Sequence, residues 1–121
     1  MGRRFAFLGV AMLVAAPASA KMTVGTFVSK ATALRANPLA ALASPDFSLL
    51  RTEAQTATRE LKADRDARKA AGRPALACPP PGQSIGIMEM LDGLAALPAA
   101  DKKRPLKDGY AKVIAKRFPC R

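Results

Sequence analysis

This sequence contains no histidine and no tryptophan, and Tyr110 is its single tyrosine. Histidine is the commonest general base near neutral pH and the commonest protein ligand for transition metals. Its absence removes the usual basis for hydrolytic chemistry and for a metal site. The chain also lacks the G-x-S-x-G, phosphate-loop and dinucleotide-binding patterns. We therefore expect a protein that is not an enzyme and that needs no cofactor and no metal.

Acidic side chains are few and are scattered among lysines and arginines. Two carboxylates that converge in space, as in glycosidases, are the remaining route to catalysis, but their spacing does not indicate it. Glu89 and Asp92 lie three positions apart on a predicted helix, where a solvated edge is the commoner arrangement. Met88 and Met90 are side chains that fill cores more often than they bind metals. Catalysis by a pair of carboxylates stays an alternative, although the sequence shows no recognisable arrangement of catalytic residues.

The chain has only two cysteines, Cys78 and Cys120, and each is next to a proline. Neither belongs to a C-x-x-C pair, so the spacing typical of zinc and redox sites is missing. In an exported protein, two such cysteines favour a structural bridge. We predict a Cys78–Cys120 disulfide that ties the end of the chain to a point just past its middle.

The first 20 residues have the features of an export signal. Arg3 and Arg4 precede an apolar run that is too short to span a bilayer, and Ala18-Ser19-Ala20 forms a cleavage motif. We predict a signal peptide at 1–20, cleavage between Ala20 and Lys21, and one periplasmic domain at 21–121. An uncleaved anchor is the alternative, and the choice between Sec and twin-arginine export stays open.

The shortage of acidic residues leaves the chain strongly basic. Its formal net charge is +11, and loss of Arg3 and Arg4 lowers the side-chain charge to +9. Such a balance favours acidic partners. The predicted compartment and the few aromatic residues argue against nucleic acid. An acidic protein surface and a weak contact with anionic membrane stay open, as does a homodimer, because the core is expected to be thin.

No segment alternates between apolar and polar residues in the manner of a strand, whereas apolar residues recur repeatedly at helical spacing. We predict an all-α bundle of about four helices. They start at Thr23, Ser44, Ser84 and Pro105, and they end before Pro38, at Gly72, before Pro98 and before Pro119. Proline and glycine at these ends are typical helix boundaries.

The periodicity also predicts which side chains face the core. In the first predicted helix the inward residues are Val24, Phe27, Val28, Ala31 and Leu34, and in the second they are Phe47, Leu50, Ala54, Ala57 and Leu61. In the third predicted helix they are Ile87, Leu91, Leu94 and Leu97. In the last they are Leu106, Tyr110, Val113, Ile114 and Phe118. Beyond Leu61 the second helix is almost entirely charged, so we expect that half to extend into solvent.

The charged end of the second helix is the candidate partner-binding surface. Its basic residues are Arg65, Arg68, Lys69 and Arg73. A surface of this charge suits an acidic partner, but a solvated helix end is the commoner meaning of a charge run. Both interpretations remain open on the sequence alone.

The last third of the chain resembles the Rap/Tai family of small exported helical proteins. The resemblance rests on Cys78-Pro79-Pro80-Pro81-Gly82-Gln83-Ser84, on a helix that ends at Leu97-Pro98, and on the terminal Phe118-Pro119-Cys120. It implies a periplasmic immunity protein that binds a peptidoglycan-cleaving amidase delivered by type VI secretion and blocks its active-site groove. The N-terminal half lacks the further cysteines expected of the family. Only Cys78 and Cys120 are therefore carried over, as structural residues.

Overall fold

The computed structural model describes residues 21–121, and the predicted signal segment and Ala20 lie outside this range. Within it the chain is helical and has no β-strand. The helices are α1 (Val24–Ala36), α2 (Pro38–Ala41), α3 (Pro45–Ala70), α4 (Ile87–Ala95), α5 (Ala99–Lys102) and α6 (Leu106–Arg117). The predicted all-α class and the disulfide are confirmed. The predicted number of helices was wrong, because the described residues form six helices rather than four.

The two additional helices, α2 and α5, are four residues long and follow helix-ending prolines or asparagine. Asn37 ends α1 and also caps α2, where its side-chain oxygen accepts a hydrogen bond from the Ala40 N–H at 3.4 Å. A proline that stops one helix fits the first turn of the next, since its missing N–H would have no partner there. Four residues are too few for apolar periodicity to show a helix.

Helices α1 and α6 form the centre of the bundle, and α3 and α4 both pack against them. The buried side chains are Val24, Phe27, Ala31, Leu50, Ala57, Met90, Leu94, Leu106, Val113 and Phe118. Phe27 also meets Tyr110 edge to face, with ring centroids 6.4 Å apart. The inward faces predicted for α1 and α6 therefore coincide with the core.

The start of α1 is held against the start of α6 by backbone hydrogen bonds. The Val24 N–H donates to the Arg104 carbonyl at 3.0 Å, and the Leu106 N–H donates to the Met22 carbonyl at 3.0 Å. These bonds satisfy two amide groups at helix starts, which have no partner within their own helices. They fix α1 and α6 side by side.

The disulfide Cys78–Cys120 joins the loop before α4 to the residues after α6, with the two Cα atoms 5.0 Å apart. Beside it, the Cys78 N–H donates to the Phe118 carbonyl at 2.8 Å. The bridge therefore encloses α4, α5 and α6. Both cysteines are exposed, so the bond lies at the surface and not in the core.

Two predicted core positions are wrong. Ile87 is 79% exposed and Phe47 is 42% exposed. Ser84 does not start α4, which begins at Ile87 with Gly86 as its cap. Ile87 is therefore the first residue of the helix, and the buried residues of α4 are Met90 and Leu94.

Two glycines lie where α6 and α4 approach their neighbours most closely. A Cβ on Gly109 would come within 2.9 Å of Leu94 Cδ2 and closer still to Val24. A Cβ on Gly93 would lie 2.7 Å from Val113 Cγ1. Gly93 weakens α4 as an isolated helix, but it allows α4 and α6 to cross at this distance.

We expect Gly109→Ala to lower the free energy of unfolding by about 1 to 3 kcal/mol, because the added methyl group overpacks a filled core. Denaturant titration followed by circular dichroism measures the change. Gly86→Ala is the matched control, since its Cβ would meet nothing within 4 Å. It should cost less than about 1 kcal/mol. Equal losses in the two variants would contradict the close-packing account.

Replacing both cysteines, Cys78→Ser with Cys120→Ser, should lower the free energy of unfolding by about 4 kcal/mol for a sequence separation of 42 residues. The physical reason is the greater freedom that the unfolded chain gains without the bridge. Denaturant titration of the double variant and of the reduced wild-type protein should give similar losses. A double variant as stable as the oxidised protein would contradict this prediction.

Candidate functional site

The main concave surface of the described residues is a wide groove between α3 and α4. Both helices pack on α1 and α6 but make no extensive contact with each other within residues 21–121. The space between them is open and has a volume of about 2100 Å³. Residues of the loop from 71 to 86 line the groove together with α3 and α4. We call it the α3–α4 groove.

The floor of the α3–α4 groove is apolar, with Leu34, Tyr110 and Ile114 among its lining side chains. The strongly exposed large apolar side chains of the described residues concentrate here. Five of the seven line the groove: Leu42, Phe47, Leu76, Ile87 and Met88. Exposed apolar side chains that gather in one groove beside polar residues are typical of an interaction site.

The α3 side of the groove carries a strip of cations formed by Arg51, Lys62 and Arg65, which we call the basic wall. Lys62 and Arg65 lie 11 and 14 residues after Arg51. Both separations are close to whole numbers of helical turns, so the three side chains share one face of α3. Arg51 and Lys62 have no carboxylate partner among the described residues. Arg65 has only its neighbour Asp66, at 3.7 Å and with both side chains exposed.

The carboxylates of residues 21–121 are almost all engaged elsewhere. Eight of the nine lie in ion pairs, and most of these pairs join different helices: Lys30 with Asp46, Arg35 with Asp92, Lys107 with Asp64, and Arg117 with Glu89. Eighteen lysines and arginines fall in this range, so ten lack a carboxylate within pairing distance. Arg51 and Lys62 of the basic wall are among these ten.

The candidate partner-binding residues separate in the structure. Arg65, Arg68 and Arg73 line the α3–α4 groove, and Lys69 does not. Arg68 is half-buried and the other three are exposed. Partner binding by these residues stays a prediction. Sequence reasoning missed Arg51 and Lys62, although their shared helix face with Arg65 was a signal that could have found them.

The turn after α3 places Arg73 at the groove. Gly72 has φ +67°, a left-handed conformation that glycine adopts without strain. The Arg73 N–H donates to the Arg68 carbonyl at 2.8 Å, and the Gly72 N–H donates to the Lys69 carbonyl at 3.2 Å. This pair of bonds is the Schellman arrangement that ends a helix and reverses the chain.

No protein-family model, curated protein or solved structure matches this chain. The Rap/Tai resemblance therefore rests on the residues quoted for it above.

The remaining candidate residues have ordinary structural surroundings. Lys21, the predicted first residue after cleavage, is exposed, and its Nζ lies 3.1 Å from Glu60. Glu89 and Asp92 pair with cations from two different helices, as described above. Residues 21–121 contain no group of three or more His, Cys, Asp or Glu side chains that could hold a metal ion. No helix in this range combines the length and apolar character needed to cross a membrane.

Two groups in or near the groove have shifted acidities. Burial raises the pKa of Tyr110, because removal from water disfavours the phenolate. A hydrogen bond to Asp64 raises the pKa of the half-buried Lys107 side chain. Both groups keep their neutral-pH form further into alkaline solution in the folded protein than in the unfolded chain.

The shift of Tyr110 predicts a loss of stability in alkaline solution. Above about pH 10 the unfolded chain gives up the phenol proton while the folded protein still holds it, so the free energy of unfolding falls until the folded pKa is passed. Because Tyr110 is the only tyrosine, phenolate absorbance measures its pKa directly in native and denatured protein. Tyr110→Phe should remove this share of the pH dependence. Equal native and denatured pKa values would contradict the prediction.

Proposed function

We propose that this chain is a non-catalytic binding protein whose α3–α4 groove docks an acidic surface of a protein partner. The observation that carries the proposal is a groove lined by exposed apolar side chains beside a basic wall in which Arg51 and Lys62 have no carboxylate partner among the described residues. Apolar area supplies affinity on burial, and unpaired cations supply orientation and rate of encounter. A groove used only for internal packing has no need of either feature at its surface.

The two carboxylates that line the groove support binding over chemistry. Asp64 lies 3.1 Å from Lys107, and Asp108 lies 3.5 Å from Arg104. Each is therefore engaged by a cation of the chain itself, and the two belong to separate ion pairs rather than to one pair of carboxylates. The Lys107–Asp64 pair also joins α6 to α3.

In its specific form the proposal is a periplasmic immunity protein that occludes the active site of a type VI secreted peptidoglycan amidase. The resemblance of residues 78–120 to the Rap/Tai family supports this form. The stapled α4–α6 segment that carries the resemblance forms one side and part of the floor of the groove. On this proposal the disulfide holds the scaffold while α3 presents the basic wall.

A helical accessory protein that contacts anionic membrane or a client protein is the second candidate. The ten cations without carboxylate partners favour it. A flat bilayer reaches the rim of a concave groove but not its floor, which is why we place a protein partner first. Binding to anionic vesicles that disappears as salt is raised, without binding to any amidase, would decide for this second candidate.

The proposal predicts that a secreted peptidoglycan amidase is encoded beside this gene, and the test is rescue of a bacterium that exports that amidase. Export of this chain should restore growth, and the two purified proteins should form a complex in titration calorimetry. The triple variant Arg51→Glu, Lys62→Glu, Arg65→Glu should weaken the complex about tenfold or more, because like charges then face the acidic surface.

The matched control is Lys103→Glu, Lys116→Glu, Arg121→Glu, which changes the net charge equally at exposed positions outside the groove. It should rescue like the wild type. The proposal falls if the wild-type protein neither binds the amidase nor restores growth. It also falls if the two triple variants lose affinity equally, because net charge and not the groove would then be responsible.

A further inference from the structure

We infer that the occupant of the α3–α4 groove is one amphipathic helix of the partner, about 14 residues long, with an apolar face and acidic residues along one edge. This inference rests on the proposed function and deepens it. It names the kind of element that binds and the way in which it lies, alongside α3. Three properties of the groove carry it: size, distribution of apolar side chains, and charge.

The size of the groove suits a polypeptide segment. Its volume of about 2100 Å³ is well above the roughly 300 to 1,000 Å³ of sites for small molecules. The basic wall extends over about 21 Å, since Arg51 and Arg65 are 14 residues apart at about 1.5 Å per residue. A helix of about 14 residues has the same length.

The apolar side chains of the groove are placed to receive the face of a helix. Phe47 on α3 and Leu42 before it are exposed on one side, and Ile87 and Met88 at the start of α4 are exposed across the groove. A helix docked between them would bury apolar residues at i, i+3, i+4 and i+7, the usual arrangement for a helix in a groove. Met88 is unbranched and adapts to the shape of such a face.

The cations of the groove determine which edge of the partner helix must carry acidic residues. The basic wall offers its cations at one side of the apolar floor, and the spacing of 11 and 14 residues places them along the axis of α3. Carboxylates at a similar spacing on the partner helix would face all three cations at once. Arginine adds directional, two-point hydrogen bonding to a carboxylate.

Other occupants from this chain fit less well. A second copy would bring a formal charge of +9 toward the same positive surface, and eight of its nine carboxylates are already paired. Residues 1–20 are apolar enough, but they contain Arg3 and Arg4 and no acidic residue. Both would place like charges against the basic wall.

The experiment uses a helix-stabilised synthetic peptide of about 14 residues with leucines on one face, glutamates along one edge, and no tyrosine or tryptophan. Tyr110 lines the groove and is the only tyrosine in a chain without tryptophan, so its fluorescence reports occupancy. Calorimetry on residues 21–121 gives the affinity. We expect saturable binding with a change in Tyr110 fluorescence.

Two comparisons make the test specific. A peptide with lysines in place of the glutamates should bind about tenfold or more weakly, and so should the acidic peptide to the protein with Arg51→Glu, Lys62→Glu and Arg65→Glu. Ile87→Ser with Met88→Ser should also weaken binding, whereas Lys103→Glu, Lys116→Glu, Arg121→Glu should not. Circular dichroism and thermal unfolding check that each variant is folded.

Several outcomes would overturn the inference. They are equal binding of the acidic and basic peptides, no binding of either, tighter binding of a peptide made of residues 1–20, or sedimentation of the free protein as a dimer closed over the groove. If the amidase binds and the acidic peptide does not, the occupant is wrong while the proposed function stands. If the peptide binds and no amidase does, the groove inference stands while the immunity role falls.

Discussion

The crossing of α1, α4 and α6 at Gly109 is the constraint on which the rest of this bundle depends. At that point a hydrogen atom in place of a methyl group lets Val24 and Leu94, the two most deeply buried side chains, reach the α6 backbone. A chain with one tyrosine and no tryptophan has few large side chains to fill a core. Close approach of the helix backbones compensates for the lack of large side chains, because dispersion contacts depend on distance as well as on side-chain size.

The groove is a consequence of the same packing. Helices α3 and α4 each bury one face on α1 and α6, and the distance between them leaves their other faces open to solvent. A thin core cannot also fill that space. Exposed side chains such as Phe47 and Ile87 therefore remain beside it.

The distribution of charge follows from the scarcity of carboxylates. Five of the nine acidic side chains of residues 21–121 pair with a cation of another helix, as Asp64 of α3 does with Lys107 of α6. Such exposed pairs contribute little each, about 0 to 1 kcal/mol. Their larger effect is on the cations that are left over, because Arg51 and Lys62 then have no carboxylate partner among the described residues. These are the cations that the acidic partner proposed above would meet.

The sequence by itself determined the helical class, the inward faces of α1 and α6, most helix ends and the Cys78–Cys120 bridge. Each of these depends on local chemistry: periodicity, proline and glycine at helix ends, and a single possible pairing of two cysteines. The short helix α5 was missed because four residues show no periodicity. The immunity role and the export signal stay predictions.

Only the tertiary structure decided which apolar residues stay exposed. Ile87 and Leu94 are the same kind of side chain on one helix, yet Leu94 meets α6 and Ile87 meets solvent. Periodicity states that a helix has an apolar face but not whether a neighbour covers its whole length. In the same way, Arg51, Lys62 and Arg65 are a candidate site only because of the apolar floor beside them, which comes from helices distant in sequence. The local sequence pattern determines where each helix forms. The groove between two helices depends on how the helices pack together.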